Sequence, residues 1–156
     1  MLTAGDAAPK FTLPGTTGGD VESYALAERV AQGPVVVAFY LFDFHPACTE
    51  EVCSSRDLSW FELVPGASVL AVSTDSAFSH AAFAREFDID FPLLSDSDGS
   101  VAEAYGVRID GIGGHALVAN RSVFVVDEGV VRYAWTADDP SEQPDWGEVK
   151  AALESL

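Results

Sequence analysis

Residues 34–53, PVVVAFYLFDFHPACTEEVC, decide how this chain folds. The first nine, PVVVAFYLF, are apolar without interruption and rich in β-branched side chains. A strand with one wet face alternates polar and apolar residues, whereas a strand covered on both faces does not. The run therefore predicts a central strand with helices above and below it. Residues 47–63 read as a helix, with Val52, Leu58, Phe61 and Leu63 available for its buried side. Glu50 and Glu51 suit the positive end of the helix dipole in its first turn, and Pro65-Gly66 ends it.

Working outward, the N-terminal stretch APKFTLPGTTGGDVESYALAER reads as two short strands around a Gly/Thr turn, then a brief helix. SVLAVST (68–74) is a second buried strand. Residues 75–87 open with an N-capping Asp or Ser and carry Phe78, Ala82, Phe83 and Phe87 at helical spacing. Residues 91–107 give a short strand, a turn and a short helix. RSVFVVDEGVVRYAW (121–135) is a hairpin turning at Asp-Glu-Gly, and 145–156 is a closing helix. Strands alternating with helices imply a central mixed sheet flanked by helices, here with an N-terminal β-hairpin added. The order matches a thioredoxin-like α/β fold in one domain spanning 1–156. In open α/β sheets the site lies beyond the carboxyl ends of the strands. That end leads from Phe42 into DFHPACTEEVC (43–53), which holds both cysteines.

The chain has 156 residues, 48% of them hydrophobic, enough for one sizeable core. Eight Lys and Arg against 25 Asp and Glu give a net charge of −17. Such a surface repels nucleic-acid phosphates and anionic lipids. The acids are scattered along the chain, which favours a halophilic protein of a salty cytoplasm over an acidic partner-binding tail. No apolar run approaches the ~20 residues of a membrane span. MLTAGDAAPK lacks the basic and apolar regions of a secretory signal, so a cytoplasmic location is expected.

A cytosolic pair of cysteines is inert, metal-binding or redox-active. Cys48 falls at the start of the helix, where free backbone N–H groups lower a thiol pKa. Cys53 lies one and a half turns further on. Ideal helix geometry separates their Cα atoms by roughly 8–9 Å, beyond the ~7 Å limit for a disulfide. The two can bridge only if the helix start unwinds. A metal site built on His45, Cys48 and Cys53 would want a fourth ligand, and His80 and His115 are distant in sequence.

FYLFDFHPACTEEVCSSRD resembles the active-site segment of peroxiredoxins. It is closest to the atypical 2-Cys type called bacterioferritin comigratory protein or peroxiredoxin Q, which reads approximately F-Y-P-x-x-x-T-P-G-C-T-x-E-x-C-x-x-R-D. Phe39, Tyr40, Pro46, Cys48, Thr49, Glu51, Cys53, Arg56 and Asp57 match in register. The opening AGDAAPKFTLP, the unit VLAVSTDSAFSHAAFAREFDIDFPLLSD and the hairpin NRSVFVVDEGVVRYAW are also similar to the family.

The resemblance implies a thiol-dependent peroxidase acting on hydrogen peroxide or organic hydroperoxides. Cys48 would become a sulfenic acid, Cys53 would resolve it as a Cys48–Cys53 disulfide, and Arg121 would stabilise the thiolate. The implied partners are a peroxide substrate and a thioredoxin-like reductant. No metal or organic cofactor is needed, and the chain would be a monomer or homodimer. Glu51 would support the helix turn or the arginines, and Arg56 with Asp57 would brace the helix. Tyr40 lines the pocket or packs. Trp60, Trp135 and Trp146 read as core or interface aromatics. Three positions depart from the pattern: Leu41 replaces a proline, His45 a Thr or Ser, and Ala47 a glycine. His45 can donate to sulfur or peroxide, act as an acid for the leaving oxygen, or turn outward. The departures favour a second reading, a redox sensor or interaction protein with weak turnover.

Overall fold

The computed structural model describes residues 1–56 and 64–156. Nine strands and five helices follow one another along these residues: β1 (Thr12–Thr16), β2 (Glu22–Ala25), α1 (Leu26–Val30), β3 (Val35–Phe39), α2 (Pro46–Arg56), β4 (Ser68–Ser73), α3 (Ala77–Glu86), β5 (Leu93–Ser95), α4 (Ser100–Ala104), β6 (Arg108–Ile109), β7 (Val118–Ala119), β8 (Ser122–Asp127), β9 (Val130–Thr136) and α5 (Trp146–Glu154). Seven strands form one mixed sheet in the order β2-β1-β5-β4-β3-β8-β9. The strands β3, β4 and β5 run parallel, and β1 and β8 flank them antiparallel. This is the mixed, helix-flanked sheet expected, with the N-terminal hairpin at one edge.

Side chains along a strand alternate between faces. Val35, Val37 and Phe39 join one apolar cluster, with Leu26, Val101 and Tyr105. Val36, Ala38 and Tyr40 join the other, with Cys48, Val52, Phe83 and Val149. All of these β3 residues are at most 4% exposed, so the unbroken apolar run has the two-sided burial its composition demands. The second cluster carries α2, α3 and α5, which places the start of α2 against the carboxyl end of β3.

Three expectations need correcting. In α3 the inward face is Ala77, His80, Ala81, Phe83 and Ala84, and Phe78 is 80% exposed with Ala82 exposed beside it. Small residues share the inward face with Phe83 because α3 lies close to the sheet; Phe83 and Phe87 of the expected stripe pack against the second cluster, whereas Phe78 and Ala82 do not. The 108–119 stretch, given no structure by its sequence, forms the two-stranded β6-β7 sheet. Glu50 and Glu51 lie beyond the first turn of α2, because the helix begins at Pro46. The expected inward residues Leu58, Phe61 and Leu63 lie outside the described residues, as do Asp57, Trp60 and the side chain of Arg56. Trp135 and Trp146 pack at the edge of the second cluster, as core aromatics. Among the described residues no helix is long and apolar enough to cross a membrane.

Candidate active site

The geometry begins with the turn between β3 and α2. Phe44 has a φ of +67°, a left-handed conformation that costs a non-glycine residue roughly 1–2 kcal/mol. Its ring packs edge-on against Phe83, centroids 5.0 Å apart. The turn is fixed from behind by Asp43, whose carboxylate accepts from Tyr40 Oη at 2.6 Å and from Ser79 Oγ at 2.8 Å. The Asp43 amide donates to Asp75 Oδ2 at 2.8 Å. His80, fully buried, faces Asp43 Oδ2 through Nδ1 at 2.8 Å and the Leu94 carbonyl through Nε2 at 2.9 Å. A carbonyl can only accept, so Nε2 carries a proton. Asp43 also faces Nδ1 of this ring, so His80 and Asp43 form a buried hydrogen-bonded pair tying α3 and β5 to the turn. Burial, then Asp43, push the Tyr40 phenol well above its ordinary pKa, so Tyr40 serves as a neutral donor that packs in the core.

In front of the turn, α2 starts at Pro46, a residue suited to a first helical turn because it has no N–H to leave unpaired. Cys48 is fully buried in that turn, and Cys53 is partly buried further along the same helix. Both are thiols. One unbroken helix between them keeps the pair at the separation that bars a bond. The Leu41 amide donates to Cys48 Sγ at 3.3 Å, and Arg121 Nη1 donates to it at 3.2 Å. Arg121 immediately precedes β8, the neighbour of β3, and its side chain is fully buried. The same Nη1 donates to Glu51 Oε2 at 2.8 Å, and Nη2 donates to the Pro140 carbonyl at 2.7 Å.

The electrostatics oppose one another. Burial raises the Cys48 thiol, while the Phe42 and Leu41 amides and Arg121 pull it down, and the net direction is up. A lowered thiol was expected from the helix start alone; complete burial outweighs that position. Burial also pushes Glu51 up to about 8 although Arg121 pulls it down. Arg121 is held above its ordinary value: burial works against its charge, and Glu51 and Cys48 more than offset that. The guanidinium therefore keeps its charge, and Glu51 is the partner that titrates. The buried side-chain atoms without a partner among the described residues include His45 Nδ1, Glu51 Oε1 and Arg121 Nε, all on residues of this site. Burial and then Arg121 lower the His45 pKa. The ring is therefore a neutral imidazole near pH 7 with a buried Nδ1, and not a side chain turned fully to solvent.

The structure thus brings Cys48, Glu51, Arg121 and His45 together and keeps Cys53 apart along α2. Sequence reasoning missed His80, whose signal was the small-residue stripe Ala77, Ala81 and Ala84 that it shares. Asp43, Asp75 and His80 also converge closely enough to suggest a metal site. Their facing atoms are spent on one another, on Ser73 Oγ at 2.6 Å and on the Asp43 amide, so the group reads as a hydrogen-bond network.

Residues 4–134 match the AhpC/TSA family. A protein of Coxiella burnetii named peroxiredoxin bcp is 37% identical over 138 residues, 86% of this chain and 88% of that protein. The chloroplastic peroxiredoxin Q of Oryza sativa subsp. japonica is 35% identical over 156 residues, 99% of this chain and 68% of that protein. Among solved structures, peroxidoxin BcpB of Mycobacterium tuberculosis superposes with a TM-score of 0.85 at 32% identity, covering 100% of this chain and 99% of that one. Reduced Prx3 of Vibrio vulnificus in complex with hydrogen peroxide gives 0.86 at 25% identity, covering 99% and 97%.

Proposed function

The chain belongs to the AhpC/TSA family of peroxiredoxins, thiol-dependent peroxidases of thioredoxin-like fold, and on that premise we propose that Cys48 is the thiol that peroxide oxidises. The observation that carries this reading is the fully buried guanidinium of Arg121, 3.2 Å from Cys48 Sγ. A thiol becomes a useful nucleophile only as its thiolate. In a dry site water cannot stabilise that anion, so fixed donors must do so. Arg121 and the Leu41 amide are such donors, already aimed at the sulfur.

The reaction follows in order. Cys48 thiolate attacks one peroxide oxygen, the O–O bond breaks, and the departing oxygen leaves as an alkoxide or hydroxide that takes up a proton. Sulfur keeps the attacked oxygen as a sulfenic acid. Arg121 faces both the thiolate and the charge growing on the leaving oxygen. His45, as a neutral imidazole whose buried Nδ1 has no partner among the described residues, is suited to hydrogen-bond the bound peroxide in place of the usual hydroxyl. Cys53 thiolate then attacks the sulfenic sulfur, water leaves, and the Cys48–Cys53 disulfide forms once the first turn of α2 has opened. Family enzymes are returned to the dithiol by thioredoxin-type proteins, and such a protein is the reductant proposed here. The superposition on a peroxiredoxin solved with hydrogen peroxide supports that peroxide as substrate.

A second reading, a redox sensor with slow turnover, is favoured by fully buried Leu41 and by His45 at the two altered positions. One assay separates them: peroxide consumption with thioredoxin and its reductase in molar KCl, for wild type, Cys48→Ser and Cys53→Ser. The enzyme reading expects sustained turnover, none in Cys48→Ser, and a trappable sulfenic acid in Cys53→Ser. Undiminished consumption in Cys48→Ser would end it, and a single turnover in wild type would leave the sensor. If His45→Ala keeps full activity, the role given to His45 is wrong.

A further inference from the structure

Resting on the reading of Cys48 and Cys53 as a disulfide-forming pair, we propose that Gln143 is a positioning residue that governs how readily the first turn of α2 opens. Gln143 thereby divides Cys48 sulfenic acid between disulfide formation and further oxidation. Its Nε2 donates to the Ala47 carbonyl at 2.8 Å across 96 residues of chain. Ala47 immediately precedes Cys48 and belongs to the turn that must unwind before Cys53 can reach it.

A clamp of this kind works only if its own base is fixed, and the 138–145 segment is fixed at both ends. On one side Arg121 Nη2 donates to the Pro140 carbonyl at 2.7 Å. Asp139 closes the bend by accepting from the Ser141 amide at 2.8 Å, and Glu142 accepts from the Asp138 amide at 3.0 Å. On the other side Asp145 caps α5, accepting from the Gly147 amide at 2.9 Å. The helix is anchored by buried Val149 and Leu153, and Pro144 is buried beside Gln143. Gln143 therefore reaches α2 from a braced strap.

The bond is separable from the chemistry. Opening the turn also breaks the contacts of Arg121 with Cys48 and Glu51, but those groups stabilise the reacting atoms as well. The Gln143 side chain donates to the Ala47 backbone and not to the reacting groups. It holds the closed form without altering the sulfur's surroundings, so its loss should change the closed-to-open balance alone. Two fates compete for the sulfenic acid. Cys53 forms the disulfide and releases water; a second peroxide transfers an oxygen to the sulfenate, giving sulfinate and an alcohol or water. Only the first fate requires opening.

The test uses Gln143→Ala and Gln143→Glu, the latter similar in shape but without an N–H donor near neutral pH. Stopped-flow mixing with hydrogen peroxide reads sulfenic acid and disulfide formation separately, and mass spectrometry reads sulfinate at excess peroxide. Disulfide formation should rise roughly 2- to 10-fold, the range one neutral hydrogen bond supplies. The sulfinate fraction should fall by a similar factor, with the first oxidation step unchanged. Glu, whose carboxylate faces the carbonyl, should accelerate opening at least as much as Ala. Disulfide formation that is unchanged or slower in both variants overturns the proposal. So does a parallel loss of both steps, which would mark Gln143 as a general support. Absence of any Cys48–Cys53 disulfide in wild type would instead overturn the reading on which the proposal rests.

Discussion

Two buried polar clusters stand on either side of the turn between β3 and α2, and they are built on opposite terms. Behind the turn, Asp43, His80, Tyr40 and Ser79 satisfy one another completely. In front of it, Cys48, Glu51, Arg121 and His45 leave three buried polar atoms without partners among the described residues. Each such atom costs about 1–3 kcal/mol. A structure tolerates that where the atoms serve a ligand and removes it where they serve only the fold. The rear cluster is thus a lock that holds a strained Phe44, and the front cluster is a site held ready for chemistry.

The largest expected effect tests the lock. His80→Ala should leave Asp43 buried and unpaired and cost about 3–5 kcal/mol of unfolding free energy. Urea denaturation measures it. A loss below about 1 kcal/mol, the scale of an exposed pair, would mean that the rear cluster is not a tightly coupled buried pair and that the contrast fails. Next comes Arg121→Gln. Removing a fixed donor at a developing charge costs about 10²–10³ in rate. Stability should change far less, because Glu51, already pushed up to about 8 by burial, can take a proton and become neutral. Equal losses in both variants on both measures would erase the distinction between lock and site.

Glu51 also gives a pH test of intermediate size. Its carboxyl is raised in the folded chain, so the folded state holds a proton that the unfolded chain has lost. Its contribution to stability is therefore complete below the ordinary carboxyl range and is lost as pH rises toward about 8. Wild type should lose stability across that window, and Glu51→Gln should lose less. Parallel curves for the two proteins would show that Glu51 stays ionised beside Arg121. The smallest effect concerns the surface. Among the described residues the buried acids are Asp43, Glu51 and Asp96, and the net charge is −17. We propose that the chain works in a salty cytoplasm, where screening weakens this repulsion. The melting temperature should rise by a few degrees as KCl increases, and a flat profile would sink the idea.

Much of this was legible in the chain. The unbroken run at 34–42 announced a strand covered on both faces, and the observed β3 alternates between two apolar clusters. Glu51 was expected to support the arginines, and it accepts from Arg121. The inward face of α3 was read correctly at Phe83 and Phe87 but not at Phe78 and Ala82, which satisfy helical spacing as well as Ala77, Ala81 and Ala84 do; only contact with the sheet selects between stripes. His80 looked isolated because its partners Asp43 and Leu94 lie 37 and 14 residues away. Gln143 carried no local signal at all, since its partner is a backbone carbonyl.

By itself the sequence determined periodicity, strand and helix order, and the spacing of Cys48 and Cys53, because these depend on near neighbours along the chain. Tertiary structure alone decided the electrostatics. Position at a helix start predicts a lowered thiol, yet complete burial raises Cys48. An exposed histidine would be charged or neutral by pH alone, yet burial and then Arg121 keep His45 neutral. Desolvation and the placement of distant charges are properties of the folded volume, and no local stretch of sequence encodes them.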